Sequence, residues 1–189
     1  MSYIKNDAAW KQLFVKRKVL VLISLSLIVL LAILPPLIFG DKHQNSNPLL
    51  MPFDTPHQTP PFDQIKTEHF APAIDAAIVE QRKEIESIVN NSAVPDFENT
   101  IVALERSGRQ LQLIANILFN LNHAETNDEL QTVASSISPL LADLSSEIIL
   151  NKNLFNKVKH VYDNCDRTQL TVEQNTLLDE TYKKFIKNG

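Results

Sequence analysis

The spacing of apolar residues after residue 62 constrains the fold of this chain more than any other feature. Steps of three, four and seven residues place side chains on one face of an α-helix. They predict one helix from about Thr67 to Asn91 and a second from about Phe97 to Ala124. The stripe of the second helix comprises Ile101, Leu104, Leu111, Ile114, Ile117, Leu118 and Leu121. Because this stripe is wide, we expect one side of it to remain for a partner outside the chain.

Three further helices are indicated closer to the C-terminus. They are expected at about 126–148, 153–164 and 172–188. The pairs Thr126 with Glu129 and Thr171 with Gln174 have the spacing of capping boxes, and Pro139 predicts a kink. Only three glycines occur in the chain, too few for the repeated tight turns of β-sandwiches or barrels. The sequence therefore predicts an all-α body of about five amphipathic helices with no strand.

An uncharged apolar run from Val19 to Gly40 precedes this body. As a helix it would rise about 33 Å, enough to cross a hydrocarbon core roughly 30 Å thick. We therefore predict a transmembrane anchor at residues 19–40. A cleaved signal peptide is the alternative, but the run is longer than the usual apolar region and no small-residue cleavage site follows it.

Charge is distributed unequally around the predicted span. Residues 1–18 carry five basic side chains against one acidic, with Lys16, Arg17 and Lys18 directly before the span, and the rest of the chain is acidic. The positive-inside bias predicts a cytoplasmic leader at 1–18 and a body on the outer, periplasmic or extracellular, face. An acidic body without a cluster of basic residues also argues against nucleic acid as a partner.

The stretch between the span and the helical body is rich in proline. Residues 41–61 contain five prolines among polar side chains. Proline removes amide donors and favours extended geometry, so we expect a tether at 41–61. The folded body is then expected at 62–189.

We find no arrangement of histidines or carboxylates with the spacing of a metal or acid–base site. No H-E-x-x-H motif is present. Glu68 and His69 are adjacent, so on a helix they do not face each other, and a role at the helix start explains them better. His123, Glu125 and Glu129 surround a helix junction, where capping and solvation again suffice.

Candidates for covalent catalysis are equally weak. Ser107 precedes Gly108 without a G-x-S-x-G turn, and Cys165 has no neighbouring basic group placed to activate its thiol. The triplet from Asn90 to Ser92 fits a glycosylation pattern, which is short and common. We therefore assign no catalytic, cofactor-binding or metal-binding residue to this chain.

Several strings, in this order, resemble the peptidyl-dipeptidase and thimet oligopeptidase family of zinc metallopeptidases, including oligopeptidase A. They are Asn47-Pro-Leu-Leu, Pro60-Pro-Phe-Asp-Gln-Ile-Lys-Thr-Glu-His-Phe-Ala-Pro-Ala-Ile74, Phe97-Glu-Asn-Thr-Ile-Val-Ala-Leu-Glu-Arg-Ser-Gly108, Phe119-Asn-Leu-Asn-His-Ala-Glu-Thr-Asn-Asp-Glu-Leu-Gln131, Glu173-Gln and Leu177-Leu178. The likeness extends over about residues 47–189. Separate strings in one order are more specific than a single short motif.

The resemblance implies that the helices form part of one lobe of a helical zinc-peptidase fold, beside a channel that admits oligopeptides. The family's zinc lies on an H-E-x-x-H helix and a downstream glutamate in a later part of the chain, so zinc is implied for a full-length relative and not for these residues. We expect an N-terminal fragment that is inactive alone and that self-associates or docks onto a separate catalytic half. The alternative is a non-catalytic, membrane-anchored helical module that binds peptides or a partner protein.

Overall fold

The computed structural model describes residues 47–124 and 127–188, and this part of the chain is helical without a strand. All of these residues belong to the second of the two units into which the chain divides, Ser46–Gly189. The helices are α1 (Phe70–Asn90), α2 (Ala103–Arg106), α3 (Arg109–Ala124), α4 (Asp128–Ile149), α5 (Lys152–Asn164) and α6 (Val172–Asn188). A π-helical turn, Phe97–Val102, leads into α2. The predicted all-α class is confirmed for the described body.

Side-chain caps define where several helices begin. The capping box of Thr171 and Gln174 is present. The Thr171 N–H donates to Gln174 Oε1 at 2.9 Å, and the Gln174 N–H donates to Thr171 Oγ1 at 3.2 Å. At the start of α4, the backbone N–H of Leu130 donates to Asn127 Oδ1 at 2.8 Å. The cap of α4 is therefore Asn127, one residue after the expected Thr126, which lies outside the described residues. The helix then runs through Pro139.

The predicted second helix is not continuous. It breaks at Ser107 and Gly108, where Gly108 has φ of +70°. The N–H of Gly108 donates to Glu84 Oε2 of α1 at 2.7 Å, and its carbonyl accepts from the Gln112 N–H of α3. Positive φ interrupts a right-handed helix, and glycine adopts it at little cost. The expectation of one helix from Phe97 to Ala124 was wrong because the apolar spacing carries on across the break.

Two hydrophobic clusters form the core. The first joins α1, α3 and α4, and the second joins the end of α1, the π turn, α5 and α6. Of the stripe predicted to need an outside partner, five residues are buried within the chain: Ile101, Leu111, Ile114, Ile117 and Leu118. Leu104 and Leu121 are partly buried against the same clusters. The prediction that one side of this stripe remains for an outside partner was wrong. The break at Gly108 divides the stripe between the two clusters, and both parts pack within the chain.

The residues ahead of α1 pack against the body. We call Asn47–Lys66 the N-terminal strap. Leu49 is 1% exposed in the first cluster, and Leu50, Phe53 and Ile65 lie against it. Asn47 is also buried. The folded body therefore includes the residues from Asn47 onward. The proline content predicted a boundary between 61 and 62, but the apolar side chains of the strap pack into the core ahead of it.

The membrane span predicted at 19–40 and the basic leader at 1–18 lie outside the described residues. Among residues 47–124 and 127–188, no single helix is long and apolar enough to cross a membrane. Only α4 and α5 taken together, across a bend of 57°, meet that test of length and composition.

Candidate functional site

Glu68 and His69 lie in the turn Thr67–His69, directly before α1. His69 Nδ1 accepts a hydrogen bond from the Lys66 N–H at 3.1 Å. The Glu68 carboxylate is exposed and lies 3.7 Å from Lys66 Nζ. The imidazole nitrogen is thus occupied by the backbone in a turn that precedes the helix. The two side chains serve helix initiation and do not form an acid–base pair.

The second group considered, around the α3–α4 junction, contains His123 and Glu129, both exposed, and Glu125, which lies outside the described residues. Nowhere in residues 47–124 and 127–188 do three or more His, Cys, Asp or Glu side chains come together to hold a metal ion. The described residues therefore do not fit the zinc that the family resemblance implies for a full-length relative.

Ser107 and Cys165 both have structural surroundings. The Ser107 hydroxyl donates to the Leu104 carbonyl at 2.7 Å, which occupies it at the end of α2. Cys165 is a partly buried free thiol at the end of α5, packed against the second core cluster. No described hydrogen bond places a general base beside either group.

An open groove of about 380 Å³ lies between α1 and the α4–α5 junction. Its lining includes apolar Ile85, Val89 and Ile148, and it is bridged by Arg82 and Glu147. Arg82 Nη2 and Nε each donate to Glu147 Oε2, at 2.8 and 3.0 Å. Glu147 raises the pKa of Arg82 through these hydrogen bonds and its charge. Sequence reasoning missed this pair, since the two residues are 65 positions apart with no local signal linking them.

A second open groove, of about 390 Å³, lies between α1 and α2. Glu80, Lys83 and Glu84 of α1 face Arg106 and Ser107 across it. Lys83 Nζ is already paired with Glu80 at 3.0 Å, and Glu84 holds the Gly108 N–H. Glu84 therefore links α1 to the break between α2 and α3, whereas the Lys83–Glu80 pair lies within α1.

Aromatic rings and an arginine join α5 to α6. The rings of Tyr162 and Tyr182 stack with centroids 3.9 Å apart, and Arg167 lies 4.8 Å from the centre of the Tyr162 ring. Arg167 Nη1 also donates to Asp179 at 2.8 Å, and this bond raises the pKa of Arg167. The guanidinium therefore makes both a cation–π contact and an ion pair that fix the two helices against each other.

The described arrangement is a helical scaffold with ion pairs and open grooves. Each residue singled out in the sequence has a capping, packing or solvated environment where the structure describes it. No described contact supplies a nucleophile with a base, and no described cluster supplies metal ligands. The described helices pack together and leave two polar-rimmed grooves beside α1.

Comparison with characterised proteins shows that this chain is homologous to peptidases of the dipeptidyl carboxypeptidase and oligopeptidase A family, as the ordered strings predicted. It is 41% identical over 145 residues to a dipeptidyl carboxypeptidase of Salmonella typhimurium and 38% identical over 143 residues to that of Escherichia coli. It is 28% identical over 144 residues to an oligopeptidase A of Salmonella typhimurium.

These matches cover 76 to 77% of this chain but 21% of each relative. The chain thus spans about a fifth of the length of the curated relatives it matches. A search against models of protein families returns no match.

Proposed function

We propose that this chain is the N-terminal part of a membrane-anchored, zinc-dependent peptidyl-dipeptidase or oligopeptidase. In this proposal it supplies helices of one lobe and of the channel wall, and the part that holds the zinc is not among its residues. The observation that carries the proposal is the 41% identity over 145 residues to a dipeptidyl carboxypeptidase, with only 21% of that relative covered.

The packing of the described helices supports a scaffolding role. α1 contacts α3, α4 and α5, so it holds both core clusters together. A wall that keeps its shape lets a peptide channel select short, extended substrates. In a complete enzyme of this kind the reaction would be hydrolysis of short peptides, with oligopeptides as substrates and the chemistry performed by groups outside this chain.

A second candidate function is a non-catalytic, membrane-anchored helical module that binds peptides or a partner protein. The burial of the wide stripe within the chain favours it, because a body that closes its own core can fold without a catalytic half. The sequence downstream of residue 189 discriminates between the two. An H-E-x-x-H motif in that sequence supports the peptidase fragment, and its absence supports the module.

The proposal predicts that the purified chain is catalytically silent. We expect less than stoichiometric zinc by elemental analysis and no cleavage of short peptides monitored by mass spectrometry. The matched control is the dipeptidyl carboxypeptidase of Escherichia coli under the same conditions, which should release dipeptides. Release of dipeptides by this chain, abolished by a chelator, would contradict the fragment proposal.

The proposed anchor predicts a topology. With Lys16, Arg17 and Lys18 before the span, the body should lie on the outer face of the membrane. Protease added to intact cells or spheroplasts should therefore digest residues after the span and spare the leader. A body that is protected until lysis would show that the orientation is reversed or that the span does not insert.

A further inference from the structure

The groove between α1 and the α4–α5 junction has an apolar floor that the described residues leave open. Ile85, Val89 and Ile148 line it, and the groove has a volume of about 380 Å³. Binding pockets usually measure about 300 to 1,000 Å³, so this groove has room for a few side chains. Its floor belongs to the second core cluster, in which Ile85 is buried and the other two are partly buried. A segment that covers the floor would therefore extend an existing core.

The charges at the rim of the groove leave one carboxylate unpaired. Arg82 is occupied by Glu147, to which it donates through both Nε and Nη2. Glu86 stands one helical turn after Arg82 on the same wall, and it is exposed. Among the residues that the structure describes, no hydrogen bond or ion pair engages the Glu86 carboxylate. The rim therefore carries a net negative charge, which favours a lysine or arginine on whatever segment fills the groove.

The end of α6 lies close to the α4–α5 junction that forms one wall of the groove. Phe155, near the start of α5, stacks on Phe185, near the end of α6, with ring centroids 6.0 Å apart. Tyr162, later in α5, stacks on Tyr182, which is earlier in α6. The two helices are therefore antiparallel, and α6 ends at Asn188 beside the start of α5. α6 also contacts α4.

The path from the end of α6 to the groove is short. Asn188 follows Phe185 by about 4.5 Å along α6, and Asn151 of the groove precedes Phe155 by about 6 Å along α5, at 1.5 Å per residue. In antiparallel helices both shifts point the same way, so the two asparagines are nearly level. Packed helix axes lie about 8 to 10 Å apart, and extended chain covers about 3.3 Å per residue, so about three or four residues cross this gap.

We propose that the groove is the docking site for the segment that follows α6 in the complete enzyme. An apolar side chain of that segment lies on Ile85, Val89 and Ile148, and a neighbouring lysine or arginine pairs with Glu86. The inference rests on the proposed function, in which more chain follows residue 189. It adds the surface by which this body holds that chain.

The test extends the full chain at Gly189 with the segment that follows the matched region in the dipeptidyl carboxypeptidase of Salmonella typhimurium. About 20 residues give several times the required reach. Tethering holds the segment at an effective concentration of about 1 mM, so weak docking is also detected. Isoleucine methyl NMR spectra of the extended and unextended chains are compared in a mild detergent. We expect methyl shifts to change at Ile85 and Ile148 and to stay constant at Ile74 and Ile137 of the first core cluster.

Two matched changes test the charge at the rim. Glu86→Lys should reduce the shift changes at Ile85 and Ile148 by at least about threefold, because like charges then meet. Replacing the basic residues of the segment with glutamine should have the same effect. Glu105→Lys alters an exposed glutamate of α2 that does not line the groove, and it should leave the shift changes as they are.

Unchanged shifts at Ile85 and Ile148 in the extended chain would overturn the docking site. Shift changes that survive Glu86→Lys, or a segment without lysine or arginine, would overturn the charge pairing. Shifts that depend on the concentration of the unextended chain would assign the groove to a second copy and overturn the proposal as well. None of these results decides the proposed function, which fails separately if the sequence downstream of residue 189 lacks H-E-x-x-H.

Discussion

At the scale of single residues, Gly108 determines how α2 turns into α3. Its φ of +70° ends one helix, and its N–H is taken by the Glu84 carboxylate of α1. A β-carbon at this position would lie 2.3 Å from Cδ of Gln81. That atom is near the end of a side chain that can move away, so the backbone conformation should dominate the cost of a substitution.

We predict that Gly108→Ala lowers the free energy of unfolding by about 1 to 2 kcal/mol, the cost of left-handed backbone for a residue with a β-carbon. Gly108→Asn should cost less, because asparagine tolerates this conformation better. Urea unfolding of the purified chain measures both. In the Gln81→Ala background the alanine penalty should be unchanged, and a penalty that vanishes there would show that crowding is the cause.

A second prediction at this scale concerns Asp166, which caps the turn Arg167–Gln169. Its carboxylate accepts from the Thr168 hydroxyl at 2.7 Å and from the Thr168 N–H at 3.0 Å, and these bonds lower the pKa of Asp166. The stabilisation is present above the unfolded pKa and is lost as pH falls through the lower folded pKa.

Thr168→Ala should therefore raise the pKa of Asp166, while Thr168→Ser, which keeps the hydroxyl, should leave it nearly unchanged. Carboxyl carbon chemical shifts in an NMR titration report the pKa directly. An unchanged pKa in the alanine variant would show that the hydroxyl does not hold the carboxylate.

At the scale of secondary-structure elements, the face that α3 buries can be tested with two neighbouring residues. Ile114 is 0% exposed in the first core cluster, whereas Leu113 is 43% exposed. Ile114→Ala should lower the free energy of unfolding by about 2 to 5 kcal/mol, because it leaves a cavity. Leu113→Ala should cost less than about 1 kcal/mol. Equal losses in urea unfolding would mean that another surface covers Leu113.

The sequence predicts the positions of helices well where the apolar spacing that marks a helix stays within that helix. The end of α1, and the helices α5 and α6, lie close to the predicted positions, because amphipathic spacing and caps operate within a few residues. The break at Gly108 was missed because the stripe spans it, although the Ser-Gly pair is a local turn signal.

Long-range contacts could not be read from the sequence. Nothing near Leu49 indicates that it would reach the core, and prolines around it favoured a tether. The Arg82–Glu147 pair forms only when α1 and α4 pack together. The absence of assigned catalytic and metal-binding residues remains a prediction for the chain as a whole.

At the scale of the whole molecule, the described body corresponds to a small part of the proteins it resembles, since the matched region covers about a fifth of each relative. The described residues bury two core clusters and hold α1 at their junction. The matched relatives contain far more chain than this body. We therefore expect that these residues can replace the matching segment of a relative as a single folded unit.

The most direct measurement is dipeptide release by a chimaera. In the dipeptidyl carboxypeptidase of Salmonella typhimurium, the 145 matched residues would be replaced by their counterparts from this chain. Because the segment is proposed to supply scaffold and no reacting group, we predict that the chimaera folds, keeps the parent's zinc content and releases dipeptides. Within it, Ile114→Ala should reduce activity more than Leu113→Ala. A chimaera that folds with the parent's zinc content yet releases no dipeptide would contradict the account.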